Sequence, residues 1–188
     1  MSIRIRKHKW LVIIVSLIIF YSLRQGWLDN LWRNLQTYQP GQYAITHFVD
    51  GDTIIVNMNG HDETIRFIGA DTPETHKPNT PVQCYGPEAS AYTKQRIGNK
   101  RVQLVSDPLS TDRDRYKRLL RYVYLPDGTN LNQELIAKGY AFYYPYFPFT
   151  KSLDFEQSEK SAIRSGLGLW SKCHPTPTDS GGFVSNPE

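Results

Sequence analysis

Apolar and polar positions alternate from residue 43 to residue 70, "YAITHFVDGDTIIVNMNGHDETIRFIGA", the period of half-buried strands. Asn59-Gly60 between two alternating runs predicts a type I′ hairpin. Asp50-Gly51-Asp52 breaks the first run, so three short strands form a meander. "YGPEASAYTKQRIGNK" then predicts a helix, with Pro87 at its start and Gly98 just past its end. "RVQLVS" returns to strand, a basic irregular loop follows, and "RYVYLPDG" is a strand ended by a turn. "NLNQELIAKGY" is a short helix capped by an asparagine and closed by Gly139. "SLDFEQSEKSAIRSGLGLW" is a longer one, stopped by Gly166 and Gly168. Five short strands with a helix after the third is the wiring of an OB-type barrel, here α+β with three helices.

The two ends of the chain follow other patterns. Residues 10–23 are continuously apolar, and as a helix they would span roughly 21 Å, short for a ~30 Å hydrocarbon core. Arg4, Arg6, Lys7 and Lys9 precede them without an acid. Residues 1–9 therefore read as a basic n-region and 10–23 as a transmembrane signal anchor, with the rest of the chain exported. A cleaved signal peptide, leaving a secreted protein, is the competing reading. Residues 24–41 form a spacer in which Trp27, Leu28, Leu31, Trp32 and Leu35 recur at near-helical spacing. Residues 42–174 form the folded domain. The tail, 175–188, lacks periodicity and reads as disordered.

Charge changes the picture little. The 22 Lys+Arg against 18 Asp+Glu give +4, and the four N-terminal cations account for that excess. A polyanion site therefore requires local clustering, and Arg113, Arg115, Lys117, Arg118 and Arg121 supply it within residues 111–122. A solvated charge run is the plainer reading of those cations. Tyr116 lies among them, and Tyr140, Tyr143, Tyr144 and Tyr146 offer faces for base stacking, although much of "YAFYYPYFPF" suits a core. Cys84 and Cys173 are the two cysteines. In an exported domain they form a disulfide or remain two thiols, and no histidines at ligand spacing make them a zinc site.

The candidate chemistry sits at the third strand and its exit, "IRFIGADTPETH". Strands pair about 4.8 Å apart, which lets Asp52 and Asp71 converge at one barrel rim. Hard oxygens without Cys or His suit Ca²⁺ or Mg²⁺, and the Thr72 carbonyl adds an oxygen. Taken singly, "DGDT" is a common turn and "DTPE" a capping box. Arg66, flanked by Ile65, Phe67 and Ile68, either pairs permanently with Asp50 or Glu63 or faces the rim of Asp71 and takes an anion. A carboxylate-held metal, a spare carboxylate and two arginines suit phosphodiester hydrolysis.

"VDGDT" (49–53), "IRFIGADTPET" (65–75), "YGPEASAYTK" (85–94), "DRYKR" (114–118) and "GLW" (168–170), in that order, resemble the thermonuclease (staphylococcal nuclease-like) family over residues 43–170. The resemblance implies an OB barrel and an endonuclease of DNA and RNA that needs one Ca²⁺, leaves 3′-phosphates, acts as a monomer and has no obligate protein partner. It implies Asp52, Asp71 and the Thr72 carbonyl as metal ligands, and Arg66, Glu74 and Arg118 as catalytic groups. Arg115, Tyr116, Tyr144 and Tyr146 are the implied substrate contacts. Lys117 and Leu119 replace the family's usual glycines around Arg118, so that loop is expected to be stiffer or differently posed. The alternative function is a non-catalytic nucleic-acid-binding module on the same barrel.

Overall fold

Asn59 and Gly60 both take positive φ, 56° and 87°, the combination that a type I′ turn demands of the loop joining β2 (Thr53–Met58) to β3 (His61–Phe67). This computed structural model describes residues 12–21, 41–75, 81–179 and 181–187. The chain divides into two units, Met1–Gln39 and Pro40–Glu188. Within the first, residues 12–21 are helical and exposed. Among the described residues no helix is long and apolar enough to cross a membrane. The basic n-region and nearly all of the spacer lie outside the described residues, as do the two ends of the 10–23 segment.

In the second unit, β1 (Gln42–Phe48), β2, β3, β5 (Val102–Val105) and β6 (Leu119–Tyr124) close a barrel in the order β1-β2-β3-β6-β5. Four of the five joints are antiparallel; β3 and β6 run parallel, with Ile65, Arg66 and Phe67 beside Leu119, Leu120 and Arg121. Alternation sends Ile54, Val56, Ile65 and Phe67 inward, where each is at most 1% exposed. It leaves Arg66 on the other face, opposite Thr53.

Helix α1 (Gly86–Ile97) has Pro87 in its first turn and ends at Gly98, whose φ is 56°. Thr93 on this helix donates to the Gly51 carbonyl at 2.6 Å and so fixes the Asp50–Asp52 turn. Helix α2 (Leu131–Ala137) starts from Asn130, whose side chain accepts from the Gln133 N–H. Asn132, fully buried, donates to the carbonyls of Ile68 and Arg121 and accepts from the Val123 N–H. It thereby ties the exit of β3 to β6. After β3 the chain forms β4 (Ala70–Asp71), which pairs with β7 (Phe142–Tyr143). The longest helix among the described residues, α3 (Ser152–Arg164), buries Phe155 and Ala162. A further short helix, α4 (Leu169–Lys172), follows beyond the glycines at which the sequence pattern stops.

The expectation of a disordered tail is corrected. Thr176–Pro177 (β8) and Phe183–Val184 (β9) pair as a two-stranded sheet. Phe183 packs on Phe142 and Trp170, with ring centroids 6.3 and 4.8 Å apart. Cys84 and Cys173 form a disulfide beneath them. No periodicity marks this tail because its partners are scattered groups outside it: Trp170 and Phe142, 13 and 41 residues before Phe183, and the backbone of Cys84, about a hundred residues before Ser185 and Asn186.

Glu159 on α3 is 6% exposed and accepts from the Tyr143 N–H at 2.8 Å. Burial, and more weakly Glu156, push its carboxyl up to about 7 from 4.5. A raised carboxyl favours folding while protonated, so this contribution is full below about pH 4.5 and is lost as pH rises through 7. Glu159→Gln keeps the acceptor without the charge. It should stabilise the protein by on the order of 3 kcal/mol at pH 8 and hardly at all at pH 4, as urea unfolding at the two pH values would read.

Candidate active site

The carboxylates meet because a sharp turn is pinned beside the end of β3. The N–H groups of Val49 and Asp50 both donate to the Thr53 carbonyl, and the Phe67 N–H donates to the Asp52 carbonyl. A Cβ on Gly51 would come within 2.7–3.0 Å of the Thr72 side chain, so the close approach of the two segments needs glycine. Asp52 is 4% exposed. Its Oδ2 accepts from the Thr72 N–H at 2.6 Å and from the Thr72 hydroxyl at 3.0 Å, and its Oδ1 accepts from the Thr53 hydroxyl. Arg66 Nη1 pairs with Asp52 Oδ1, and Arg66 Nη2 lies 2.5 Å from Asp71 Oδ1. One guanidinium therefore bridges both candidate ligands. Of the two readings of Arg66, the rim-facing one describes its position; its partners are Asp52 and Asp71, while Glu63 belongs to Arg113.

This cluster is short of positive charge. Burial, then the Asp52 charge, push the Asp50 carboxyl up to about 7. Burial also pushes Asp71 up to about 6; Arg66 pulls it down, while Asp52 and Glu74 push it up. For Arg66, burial opposes its charge, but Asp52, Asp71 and Asp50 outweigh it and hold the group above its ordinary value. Three acids share one arginine in a half-dry rim. Such a donor set suits a hard divalent cation, with Asp52, Asp71 and the Thr72 carbonyl as the oxygens to hold it. The described residues contain no cage of three or more acidic, cysteine or histidine side chains, so water and substrate oxygens would complete the coordination.

Glu74 follows within three residues. Its carboxylate makes no hydrogen bond or ion pair among the described residues. Its backbone is held on both sides by Gln83, whose Oε1 accepts from the Glu74 N–H at 2.8 Å and whose N–H donates to the Glu74 carbonyl at 2.9 Å.

The basic loop is less available than its sequence suggests. Arg113 pairs two nitrogens with the Glu63 carboxylate, at 3.0 and 3.1 Å. Arg121 is 1% exposed and pairs with Asp112. Both are structural, because each reaches an acid that the local sequence does not mark as its partner. Arg118 Nε lies 2.7 Å from Asp114 Oδ2, and its guanidinium sits over the Tyr116 ring at 5.3 Å. No described contact joins Arg118 to Asp52, Arg66 or Asp71. It precedes by two residues Leu120, the register partner of Arg66, so it must leave Asp114 to serve that rim. Arg115 stacks on Tyr116 at 4.8 Å, and neither Arg115 nor Lys117 has an ion pair among the described residues.

Lys117 has φ 65°. The loop thus keeps a glycine-like pose with a lysine in it, closed by Asp114, which accepts from the N–H groups of Tyr116, Lys117 and Arg118. Lys117→Gly should raise stability by about 1 kcal/mol, read by urea unfolding, since a left-handed pose costs a side-chain-bearing residue about that much.

Of the aromatic run, Tyr140 stacks on Tyr92 at 4.2 Å and Tyr143 hydrogen-bonds Ser152, so both are packing residues. Tyr144 donates its N–H to the Gly69 carbonyl. Burial, then the nearby Asp71 charge, push its phenol up. Tyr146 lies against it at 4.7 Å and its hydroxyl bonds Thr178 of the tail. Tyr116, 64% exposed, and Tyr146, 40% exposed, are the open faces. Sequence reasoning weighed Asp50 only as a turn residue and as a possible partner of Arg66, whereas it is the third acid of the cluster. Gln83 it missed, for that residue carried no signal at all.

Comparison with known proteins gives a consistent answer. The family described as staphylococcal nuclease homologue matches residues 64–172. A thermonuclease of Staphylococcus hyicus is 38% identical over 167 residues, covering 86% of this chain and 95% of its own. One from Staphylococcus intermedius is 39% identical over 164 residues, covering 86% and 94%. Endonuclease YncB of Bacillus subtilis (strain 168) is 41% identical over 140 residues, covering 73% of this chain and 62% of its own.

Proposed function

The chain belongs to the staphylococcal nuclease homologue family, and from that premise we propose that it is a Ca²⁺-dependent endonuclease that hydrolyses DNA and RNA to 3′-phosphate products. The observation that carries the reading is the bridge of Arg66 between Asp52 and Asp71 beside Asp50, an acidic cluster with too little cation to balance it. Asp52, Asp71 and the Thr72 carbonyl would hold the ion, which when bound would polarise a phosphoryl oxygen.

Glu74 takes the proton of the attacking water, its backbone being fixed and its carboxylate without a hydrogen bond or ion pair among the described residues. Water oxygen bonds to phosphorus, the P–O5′ bond breaks, and the phosphate stays on the 3′ oxygen. Arg66 turns part of its charge from the carboxylates to the phosphate. Arg118, released from Asp114, balances the charge that builds on phosphorus and the leaving oxygen. Arg115 with Tyr116 contacts the strand, and Tyr144 and Tyr146 offer stacking faces. The protein works as a monomer outside the cytoplasm, tethered by residues 10–23 or released after their cleavage. The Cys84–Cys173 disulfide supports an oxidising location.

Digestion of single-stranded DNA and of RNA with Ca²⁺ or with EGTA tests the proposal. Cleavage should require Ca²⁺ and yield ends that kinase labels at 5′-hydroxyls without prior phosphatase. Equal activity in EGTA, or 5′-phosphate ends, would refute it; tight binding without turnover under any divalent ion would favour the non-catalytic alternative.

A further inference from the structure

Both backbone ties of Glu74 run to a single residue. Gln83 accepts from the Glu74 N–H through its side-chain oxygen and donates its own N–H to the Glu74 carbonyl, so it clamps the segment as a strand partner would. Gln83 is itself gripped from the far end of the chain. It forms an isolated antiparallel bridge with Pro187. Next to it, the Cys84 N–H donates to the Asn186 carbonyl at 2.9 Å, and the Ser185 hydroxyl donates to the Cys84 carbonyl at 2.8 Å. Ser185 is 4% exposed. Asn186 Nδ2 reaches the His174 carbonyl at 3.1 Å, just past the disulfide partner Cys173. The β8–β9 hairpin is seated by Phe183 on Phe142, and Phe142 is the register partner of Asp71.

We infer that Gln83 is a positioning residue for Glu74 and that the C-terminal hairpin, with residues 185–187, is the strap that holds Gln83 in place. The last dozen residues therefore belong to the scaffold of the reacting centre. The role given to Glu74 rests on the function proposed above; the strap itself rests on hydrogen bonds alone.

The physical reason is leverage. A side chain whose carboxylate has no partner among the described residues is placed by its backbone, and a misplacement near 1 Å costs roughly 10² in rate. Substrate affinity should be spared, because no contact of Arg66, Arg115 or Tyr116 described above runs through Gln83. Loosening the clamp at Gln83 should lower kcat and leave KM nearly alone.

Two measurements on the full chain and its variants decide the matter. One is amide hydrogen exchange at Glu74; the other is kcat and KM on a single-stranded DNA oligonucleotide with Ca²⁺. Gln83→Ala, and separately a chain ending at His174, should speed exchange at Glu74 at least tenfold. Each should lower kcat roughly ten- to a hundredfold, with KM within about twofold in Gln83→Ala; the truncation also removes Thr178, the partner of Tyr146, so its KM is not a criterion. Gln83→Glu keeps an acceptor oxygen in the same place and should recover most of both losses. If truncation unfolds the domain, Gln83→Ala against Gln83→Glu still decides. The inference is overturned if exchange at Glu74 is unchanged in Gln83→Ala, if it rises while kcat holds, or if Gln83→Glu is as defective as Gln83→Ala. Should the wild type not cleave at all, the reading of Glu74 as a base fails by itself, and the exchange rates alone then judge the strap.

Discussion

Glu74→Gln is expected to lower kcat by roughly 10²–10⁴ while leaving KM within a few fold and the unfolding midpoint unchanged. The expectation rests on a separation that the structure makes visible. The Glu74 carboxylate is bonded by no described residue, and its backbone is held whichever head group it carries. Glutamine has the same shape and cannot accept a proton. A rate loss without a stability loss therefore reports on proton transfer alone. The same substitution at Asp52 would not separate the two, because Asp52 accepts from the Thr72 N–H, the Thr72 hydroxyl and the Thr53 hydroxyl and pairs with Arg66. Single-turnover cleavage of an oligonucleotide, set beside thermal unfolding, makes the check. A variant that retains wild-type kcat would remove Glu74 from the chemistry and leave the fold argument untouched.

What the sequence disclosed, and what it hid, divides by the range of the interactions. Asn59-Gly60, the capping Asn130 and the alternation of Ile54, Val56, Ile65 and Phe67 are local signals, and each produced the element it announces. The convergence of Asp52, Arg66, Asp71 and Thr72 was also legible, because strand spacing brings the Asp50–Asp52 turn to the exit of β3 whatever the rest of the chain does. The charges of residues 111–122 were legible as charges, but their availability was not. Arg113 finds Glu63 fifty residues away, and Arg121 is drawn into the interior beside Asp112. The tail was misread for the same reason. Its order depends on Cys84, Phe142 and Trp170, and no period within fourteen residues can announce partners that lie outside it. Lys117 shows the converse: a residue expected to stiffen or re-pose the loop adopts the glycine pose, because Asp114 takes the N–H groups of Tyr116 and Arg118 with its carboxylate and that of Lys117 with its carbonyl.

Arg66→Met should reduce stability by about 3–5 kcal/mol at pH 8 and by much less at pH 5, and should reduce kcat by roughly 10²–10³. Methionine fills most of the space, so the loss reports the charge. Without the guanidinium, Asp50, Asp52 and Asp71 face one another across a half-dry rim, in which Asp52 is buried and the Asp71 side chain partly exposed. Burial has already pushed Asp50 up to about 7 and Asp71 to about 6, and Arg66 is what pulls both down. Its removal raises both further. Carboxyls raised in the folded state favour folding while protonated, and that stability is lost as pH climbs through their folded values. The deficit must therefore widen from pH 5 to pH 8, the reverse of the acid sensitivity that follows when an ordinary salt-bridged carboxylate is protonated. Millimolar Ca²⁺ should narrow it at pH 8, since a divalent ion supplies the charge that methionine lacks, yet it should not restore kcat, because a second cation aimed at the phosphate would still be missing. Urea unfolding at the two pH values, with and without Ca²⁺, separates these terms. A deficit of equal size at pH 5 and pH 8 would mean that Arg66 stabilises the barrel by packing rather than by balancing its acids, and the case for a cation-hungry rim would fall with it.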